Sequence, residues 1–322
     1  QRVMDALEAA QPGCGRFVGG CVRNALLGEP VADIDIATQL TPDRVEQVMR
    51  AAGIAVHPTG IEHGTLTVVA DRTPFEVTTL RRDVETDGRR AVVAFTQDWA
   101  EDAQRRDFRM NALYVDLDGI VHDPTGGGLD DVATRQIVFV GDPNTRIRED
   151  YLRILRFFRF HAWYARTAPD AAGLDACGRL RGGLASISSE RIWMETKKLL
   201  AAPQPMPALR AMAASGVLAQ LFPEAKGLTL LDRLVTLARD GVVAIDPIQR
   251  ILALFWKDEH AVDAIVVRLK MSNDERDRLR WSARDETPLD TANPPEVRAA
   301  IYRKGAQVVS DRAVLALAGC AT

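Results

Sequence analysis

The stretch Phe17-Val-Gly-Gly-Cys-Val-Arg-Asn-Ala-Leu-Leu-Gly-Glu-Pro-Val-Ala-Asp-Ile-Asp-Ile-Ala-Thr38 sets the frame for the whole chain. The apolar pair Phe17-Val18 leads into Gly19-Gly20, and the pattern predicts a helix from Cys21 to Leu27. Gly28 is placed to stop that helix, because glycine accepts the left-handed conformation of a helix end. Val31 to Ala37 then alternates as a strand does. That puts Asp33 and Asp35 on one face and Ile34 and Ile36 on the other. Neighbouring carboxylates repel and call for a cation, and oxygen-only donors suit a hard ion such as Mg²⁺. At the bend, backbone N–H groups with no side chain in the way can approach a phosphate. Arg23 offers a forked donor to the same anion. Each part alone also reads as something ordinary: a turn, a solvated strand face, a surface arginine. Their order and spacing together are far more specific.

The combination resembles the nucleotidyltransferase superfamily, in its tRNA nucleotidyltransferase and bacterial poly(A) polymerase branch. The family pattern is G-G-x-V-R-D-x-L-L-G followed by D-x-D. Gly19, Gly20, Val22, Arg23, Leu26, Leu27, Gly28, Asp33 and Asp35 match it. Asn24 departs from it, keeping an acceptor and losing the charge of the usual aspartate.

With 322 residues the chain is long enough for two or more cores. No apolar run approaches a membrane span, and no secretory signal is read at the start. Cys14, Cys21, Cys177 and Cys320 show neither metal-ligand spacing nor a disulfide framework, so they are expected to be free thiols in a reducing cytoplasm. The net charge of −3 is unusual for a nucleic-acid binder, although a local basic face is compatible with it. No short internal repeat or low-complexity segment is present.

Amphipathic helices are expected at 3–10 and 42–52, the latter with Thr41 as cap, Pro42 in its first turn and Gly53 after it. Strands are expected at 54–56, 64–70 and 75–80. Within the last, Glu76 falls opposite Phe75 and Val77, as at an exposed edge or as a further ligand beside the aspartates. The resemblance favours the second, since Glu76-Val-Thr-Thr-Leu-Arg81 matches the segment that supplies a third active-site carboxylate. His63-Gly64-Thr65 matches as well. Arg81 to Arg90 is polar and aperiodic and reads as a loop, where the family has a flexible loop that helps switch between nucleotides. Phe108, Met110 and Ala112 alternate as on a strand. Arg105-Arg106-Asp107-Phe108-Arg109-Met110-Asn111-Ala112 resembles the motif whose arginine and asparagine hold the nucleotide's sugar and phosphates, roles that fall here on Arg106 and Asn111. Asp123 to Asp131 is a glycine-rich turn.

After Glu149 the chain reads as helices. Glu149 and Asp150 are expected in the first turn of one, with Glu149, Arg153 and Arg156 on one face and Ile154, Leu155 and Phe158 opposite. By residues alone this is a solvated face. The resemblance makes it the motif that reads the incoming base without a template. Asp150 can only accept and Arg153 can only donate, which fits the amino group beside a ring nitrogen in both cytosine and adenine, and mismatches uracil and guanine. Arg156 and Arg159 are expected to support the phosphates or this arrangement. Ser188 to Leu200 resembles the family's neck helix. Beyond Pro203 come short helices with many arginines, among them Arg268, Arg276, Arg278, Arg280 and Arg284, which could meet an RNA backbone.

The resemblance implies an α+β protein: a nucleotidyltransferase head with a mixed sheet (1–125), a helical neck that recognises the base (126–200), and a helical body and tail that bind tRNA (201–322). It implies addition of C, C and A to a tRNA 3′ end from CTP and ATP in the cytoplasm. Asp33 and Asp35 would hold Mg²⁺ and Glu76 would stand nearby. Gly19, Gly20, Arg23, Arg106 and Asn111 would bind nucleotide, joined by Asp150, Arg153, Arg156 and Arg159. Poly(A) polymerase activity, CC-only or A-only addition, and an inactive RNA-binding relative are the alternatives. The acidic segment 83–90 and the lack of a long basic tail favour complete CCA addition.

Overall fold

The computed structural model describes residues 1–61, 64–87, 90–284 and 293–320. Two compact units form, Gln1–Asp150 with Arg166–Asp170, and Tyr151–Ala165 with Ala171–Thr322.

The first unit runs α1 (Arg2–Ala10), β1 (Gly15–Val18), α2 (Gly20–Leu27), β2 (Asp35–Thr38), α3 (Pro42–Ala51), β3 (Ala55–Gly60), β4 (Thr65–Ala70), β5 (Thr73–Thr79), β6 (Arg81–Asp87), β7 (Arg90–Phe95), α4 (Trp99–Gln104), β8 (Tyr114–Val115), β9 (Val121–His122), α5 (Gly128–Thr134) and α6 (Pro143–Glu149). Seven strands make a sheet in the order β3-β4-β5-β2-β1-β8-β9. The β2–β5 pair is parallel and the other pairs are antiparallel, so the sheet is mixed as expected. On one side α1 and α3 bring Val3, Met4, Leu7, Val45 and Met49 onto Ile36, Leu66, Val68 and Val77. Burying each such side chain contributes about 2 kcal/mol. Val18, Ala37, Leu80, Ala103, Ala112 and Tyr114 form a second cluster.

Several local expectations change. β2 begins at Asp35, so Asp33 lies in the exposed segment ahead of the strand and not within it. Pairing with β5 starts only at Asp35 opposite Glu76, which leaves nothing to hold 31–34 in a ladder. Arg81 to Arg90 is no plain loop: β6 and β7 pair antiparallel as a separate ribbon. The segment's sequence has no apolar period, so no alternation betrays the strand. His63 and the pair Gly88-Arg89 lie outside the described residues. Phe108 to Ala112 is not a strand either. A 3₁₀ turn spans Arg109–Asn111, and its alternation is accidental because Phe108, Met110, Ala112 and Leu113 are all fully buried. Thr41 and Ser188 occupy N-cap positions with no capping hydrogen bond from their side chains.

The glycine-rich turn is structural. Asp123 accepts from the backbone N–H groups of Thr125, Gly126, Gly128 and Leu129. Arg109 grips Asp131 with two bonds at 2.8 and 2.5 Å and lies where a side chain on Gly127 would have to go.

The expected helix start at Glu149-Asp150 is instead a junction. α6 ends at Glu149, whose carboxylate meets Arg146 at 2.5 Å. Asp150 is extended, and a new helix begins at Leu152. α5 and α6 thus belong to the sheet's unit, whereas the sequence pattern groups 126–200 together.

The second unit is helical: α7 (Leu152–Tyr164), α8 (Ala171–Leu180), α9 (Ser189–Leu200), α10 (Met206–Ala214), α11 (Val217–Leu221), α12 (Thr229–Arg239), α13 (Pro247–Ala253), α14 (Glu259–Arg268), α15 (Asn273–Ala283), α16 (Pro294–Lys304) and α17 (Ala306–Cys320). Ile154, Leu155, Phe157 and Phe158 give α7 its buried side. Among the described residues no helix is long and apolar enough to cross a membrane. Arg250 of α13 is buried and donates Nη1 to the carbonyls of Leu200 and Ala202 at 2.5 and 2.6 Å. It thereby satisfies carbonyls that the end of α9 leaves open. Arg250→Met keeps the volume and strands both acceptors. It should cost about 3 kcal/mol, read as a lower urea midpoint at unchanged slope.

Candidate active site

Strand alternation places the acidic pair. Ile36 and Val77 point into the core beneath α1 and α3, so Asp35 and Glu76 point to the opposite face. They are also register partners across the parallel β2–β5 ladder, which sets the two carboxylates side by side on neighbouring strands. The expected meeting of Asp35 with Glu76 is therefore a consequence of sheet register.

The Gly19-Gly20 turn sits against the same strand end. β1 runs antiparallel to β2 with Phe17 opposite Ile36, so the chain leaves β1 beside Asp35. The Cys21 thiol, one residue into α2, reaches the carbonyls of Val18 at 3.2 Å and Asp35 at 3.7 Å. Gly19 has φ +75°, and a side chain there would approach Arg106 Nη1 to 3.5 Å. The contact is an ordinary one, so it is the positive φ that favours glycine here.

Arg106 is fixed by a network that sequence reasoning missed. Its Nε and Nη2 donate to Asp102 Oδ2 at 3.3 and 3.0 Å, and Nε also reaches the Tyr114 hydroxyl at 3.2 Å. Tyr114 donates to the same Asp102 oxygen at 2.7 Å, and Arg105 takes Oδ1 at 2.9 Å. The available signal was helical spacing, since Asp102 precedes Arg105 and Arg106 by three and four residues. A second chain involves Arg23 and Asn111, both buried. Arg23 Nη1 donates to Asn111 Oδ1 at 2.5 Å, and Asn111 Nδ2 donates to Asp107 Oδ1 at 3.0 Å. The structure thus gathers Gly19, Gly20, Arg23, Arg106 and Asn111 into one cluster, with the last three bonded to protein groups.

The Asp35 carboxyl is pushed above its ordinary value. Burial is the main cause and the Glu76 charge comes next; Arg106 opposes them and Asp33 adds to the repulsion. Among the described residues, no three His, Cys, Asp or Glu side chains are gathered closely enough to enclose a metal ion. The donor chemistry still fits a hard divalent cation. Asp33, Asp35 and Glu76 offer carboxylate oxygens only, and a cation would relieve the repulsion felt at Asp35.

In the helical unit Arg159 Nε lies 2.6 Å from Glu195 Oε2 and Arg156 Nη1 lies 4.0 Å from Oε1. Glu195 of α9 is the partner that sequence reasoning left unassigned. Arg153 is half-buried on α7, and Asp150 is half-buried at the end of the first unit. Of the five later arginines, Arg268 pairs with Glu224, Arg276 with Asp277, Arg278 with Asp246 and Asp311, and Arg280 with Asp263. Arg284 lies over the Trp281 ring, 3.8 Å from its centroid.

With this geometry in place, comparison with known proteins is decisive for the family. The family described as poly A polymerase head domain matches residues 15–138. That described as the probable RNA- and SrmB-binding site of polymerase A matches residues 172–228. The CCA-adding enzyme of Streptococcus gordonii is 36% identical over 287 residues, covering 87% of this chain and 66% of that one. The chain belongs to the tRNA nucleotidyltransferase and poly(A) polymerase family. The mitochondrial CCA tRNA nucleotidyltransferase 1 of Danio rerio is 45% identical over 191 residues, 58% of this chain. The chain spans 43% of that protein's length and 43% of its Homo sapiens counterpart. The crystal structure of the Bacillus stearothermophilus CCA-adding enzyme in complex with CTP aligns with a TM-score of 0.77 at 28% identity, over 99% of this chain and 77% of that one. The nucleotidyltransferase head of this family therefore accounts for the mixed sheet, and its helical remainder for α7 to α17.

Within this family head, Asp102 is the ionic anchor of Arg106. Burial pushes its carboxyl up, but the charges of Arg106 and Arg105 and the Tyr114 hydroxyl outweigh burial and hold it at about 2. A depressed carboxylate stabilises the fold fully above its unfolded pKa of about 4, and loses that contribution as pH falls through its folded value. Asp102→Asn should cost about 2 kcal/mol at neutral pH. The gap to the parent should narrow as pH drops from about 4 toward about 2 in urea titrations at each pH. A gap that stays constant over that window would remove the ionic account.

Proposed function

We propose that this chain adds C, C and A to the 3′ end of tRNA from CTP and ATP without a nucleic-acid template, releasing pyrophosphate. The observation that carries the reading is the Asp35–Glu76 register pair beside the Gly19-Gly20 turn and Arg106. The CCA-adding enzymes among its relatives support it. In this reading the terminal tRNA hydroxyl attacks the α-phosphate of the bound nucleotide, and pyrophosphate leaves in line. Mg²⁺ held by Asp33 and Asp35 would lower the pKa of that hydroxyl and neutralise the triphosphate. The N–H groups at the start of α2 meet phosphate oxygens where the backbone is uncovered. Arg106, pre-oriented by Asp102 and Tyr114, adds fixed positive charge at the same end of the sheet. Glu76 stands next to Asp35. Arg23 and Asn111 hold the floor of the nucleotide site.

Base choice falls to Asp150 and Arg153, the one accepting and the other donating, with Arg156 and Arg159 close to Glu195. Asp35→Ala should lower incorporation by about three orders of magnitude or more without lowering the thermal unfolding temperature, because its carboxylate faces away from the apolar core and is held against burial and the Glu76 charge. Wild-type turnover with Mg²⁺ in that variant would refute the metal assignment. Asp150→Ala should relax the preference for CTP and ATP over UTP and GTP about tenfold or more, with a smaller loss of rate. Unchanged selectivity would exclude Asp150 as a reader.

A cytoplasmic site of action is part of the proposal. The description of the matched head domain favours a poly(A) polymerase as the second reading. Offering tRNAs that lack three, two or one of the terminal nucleotides, with each nucleoside triphosphate in turn, separates the readings. Sequenced products ending in a single CCA support the proposal. Runs of A, partial ends, or no addition each overturn it.

A further inference from the structure

Asn24 stands where the family pattern has aspartate, and both ends of its amide are in use. Oδ1 accepts from Arg23 Nε at 3.1 Å and Nη2 at 2.8 Å, while Nδ2 donates to the Pro30 carbonyl at 2.8 Å. The amide can face only this way, because a guanidinium only donates and a carbonyl only accepts. Its backbone carbonyl takes the N–H of Glu29 at 2.9 Å. Arg135 grips the same turn, donating to Leu27 O at 3.1 Å and to Glu29 Oε1 at 3.3 Å. From this turn the chain runs with no regular structure to Asp33 and enters β2 at Asp35. On its far side Arg23 bonds Asn111, and Asn111 bonds Asp107. One line of hydrogen bonds therefore joins Pro30, Asn24, Arg23, Asn111 and Asp107.

We propose that Asn24 is a positioning residue that fixes the Arg23–Asn111 pair and the segment carrying Asp33 with respect to one another. Its kinetic consequence rests on the nucleotidyl-transfer reading above. Aspartate here would accept from Arg23 more strongly, as a charged partner, but it would set a carboxylate oxygen against the Pro30 carbonyl with no proton between them. The neutral amide gives up an ionic bond to Arg23 and gains a donor to the turn.

Asn24→Asp and Asn24→Ala test this in the full chain by two readouts. The first is amide hydrogen exchange over residues 29–36, followed by mass spectrometry. The second is kcat and KM for CTP on a tRNA lacking its three terminal nucleotides. Exchange over 29–36 should quicken about tenfold in both variants. Their kcat should fall about tenfold or more, with KM moving less, as for other residues that hold a ligand's neighbour in place. Unchanged exchange in either variant, or quicker exchange at parental kcat, overturns the proposal. Exchange is read without turnover. A parent that adds no nucleotide would therefore sink the functional reading, while the exchange rates would still decide whether Asn24 holds the turn.

Discussion

The pairing of β2 with β5 governs the head. It is the parallel contact in an otherwise antiparallel sheet, and it brings together two segments separated by α3, β3 and β4. Because the register sets Asp35 opposite Glu76, the sheet holds two carboxylates at neighbouring positions, an arrangement that repulsion alone would oppose. The cores on either face supply the free energy that keeps them there. Each of the other features lies close to that strand end: the glycine turn that leaves β1, the Cys21 contact to the Asp35 carbonyl, and the buried arginine cluster.

Arg106 and Arg23 show two ways of keeping a cation inside a protein. Arg106 is met by a carboxylate that cannot easily be neutralised, since Asp102 is held at about 2 by the very charges it balances. Arg23 donates to neutral amides, those of Asn111 and Asn24. The first arrangement is stiff and ionic. The second is directional, with each amide oriented by a further acceptor, Asp107 in one case and Pro30 in the other.

Much of the site was legible in the sequence because its signals are local. Gly19-Gly20 before a helix states its geometry within a few residues; the alternation around Glu76 gives only its face, and the resemblance is what sets it beside the aspartates. The spacing of Asp102 from Arg105 and Arg106 was a local signal, but the Tyr114 part of the network was not legible, because Tyr114 reaches Asp102 only when β8 pairs with β1. Alternation misled at Phe108 to Ala112, where a 3₁₀ turn and not a strand buries Phe108, Met110 and Ala112. Helical periodicity ran on across Asp150 and hid the break between α6 and α7. The true start signal lay earlier, in Asp142-Pro143, where aspartate caps the first turn and proline occupies it.

The head sheet is open at both ends, and its margins are poor templates for another chain. β3 carries Pro58, which has no N–H to offer, and its register shifts between His57 and Gly60. β9 is two residues long. An incoming strand would find either a missing donor and a kink or too short a run to zip against. Self-association through edge-to-edge β-pairing is thereby discouraged in a head whose Asp35 and Glu76 strands, β2 and β5, lie inside the sheet.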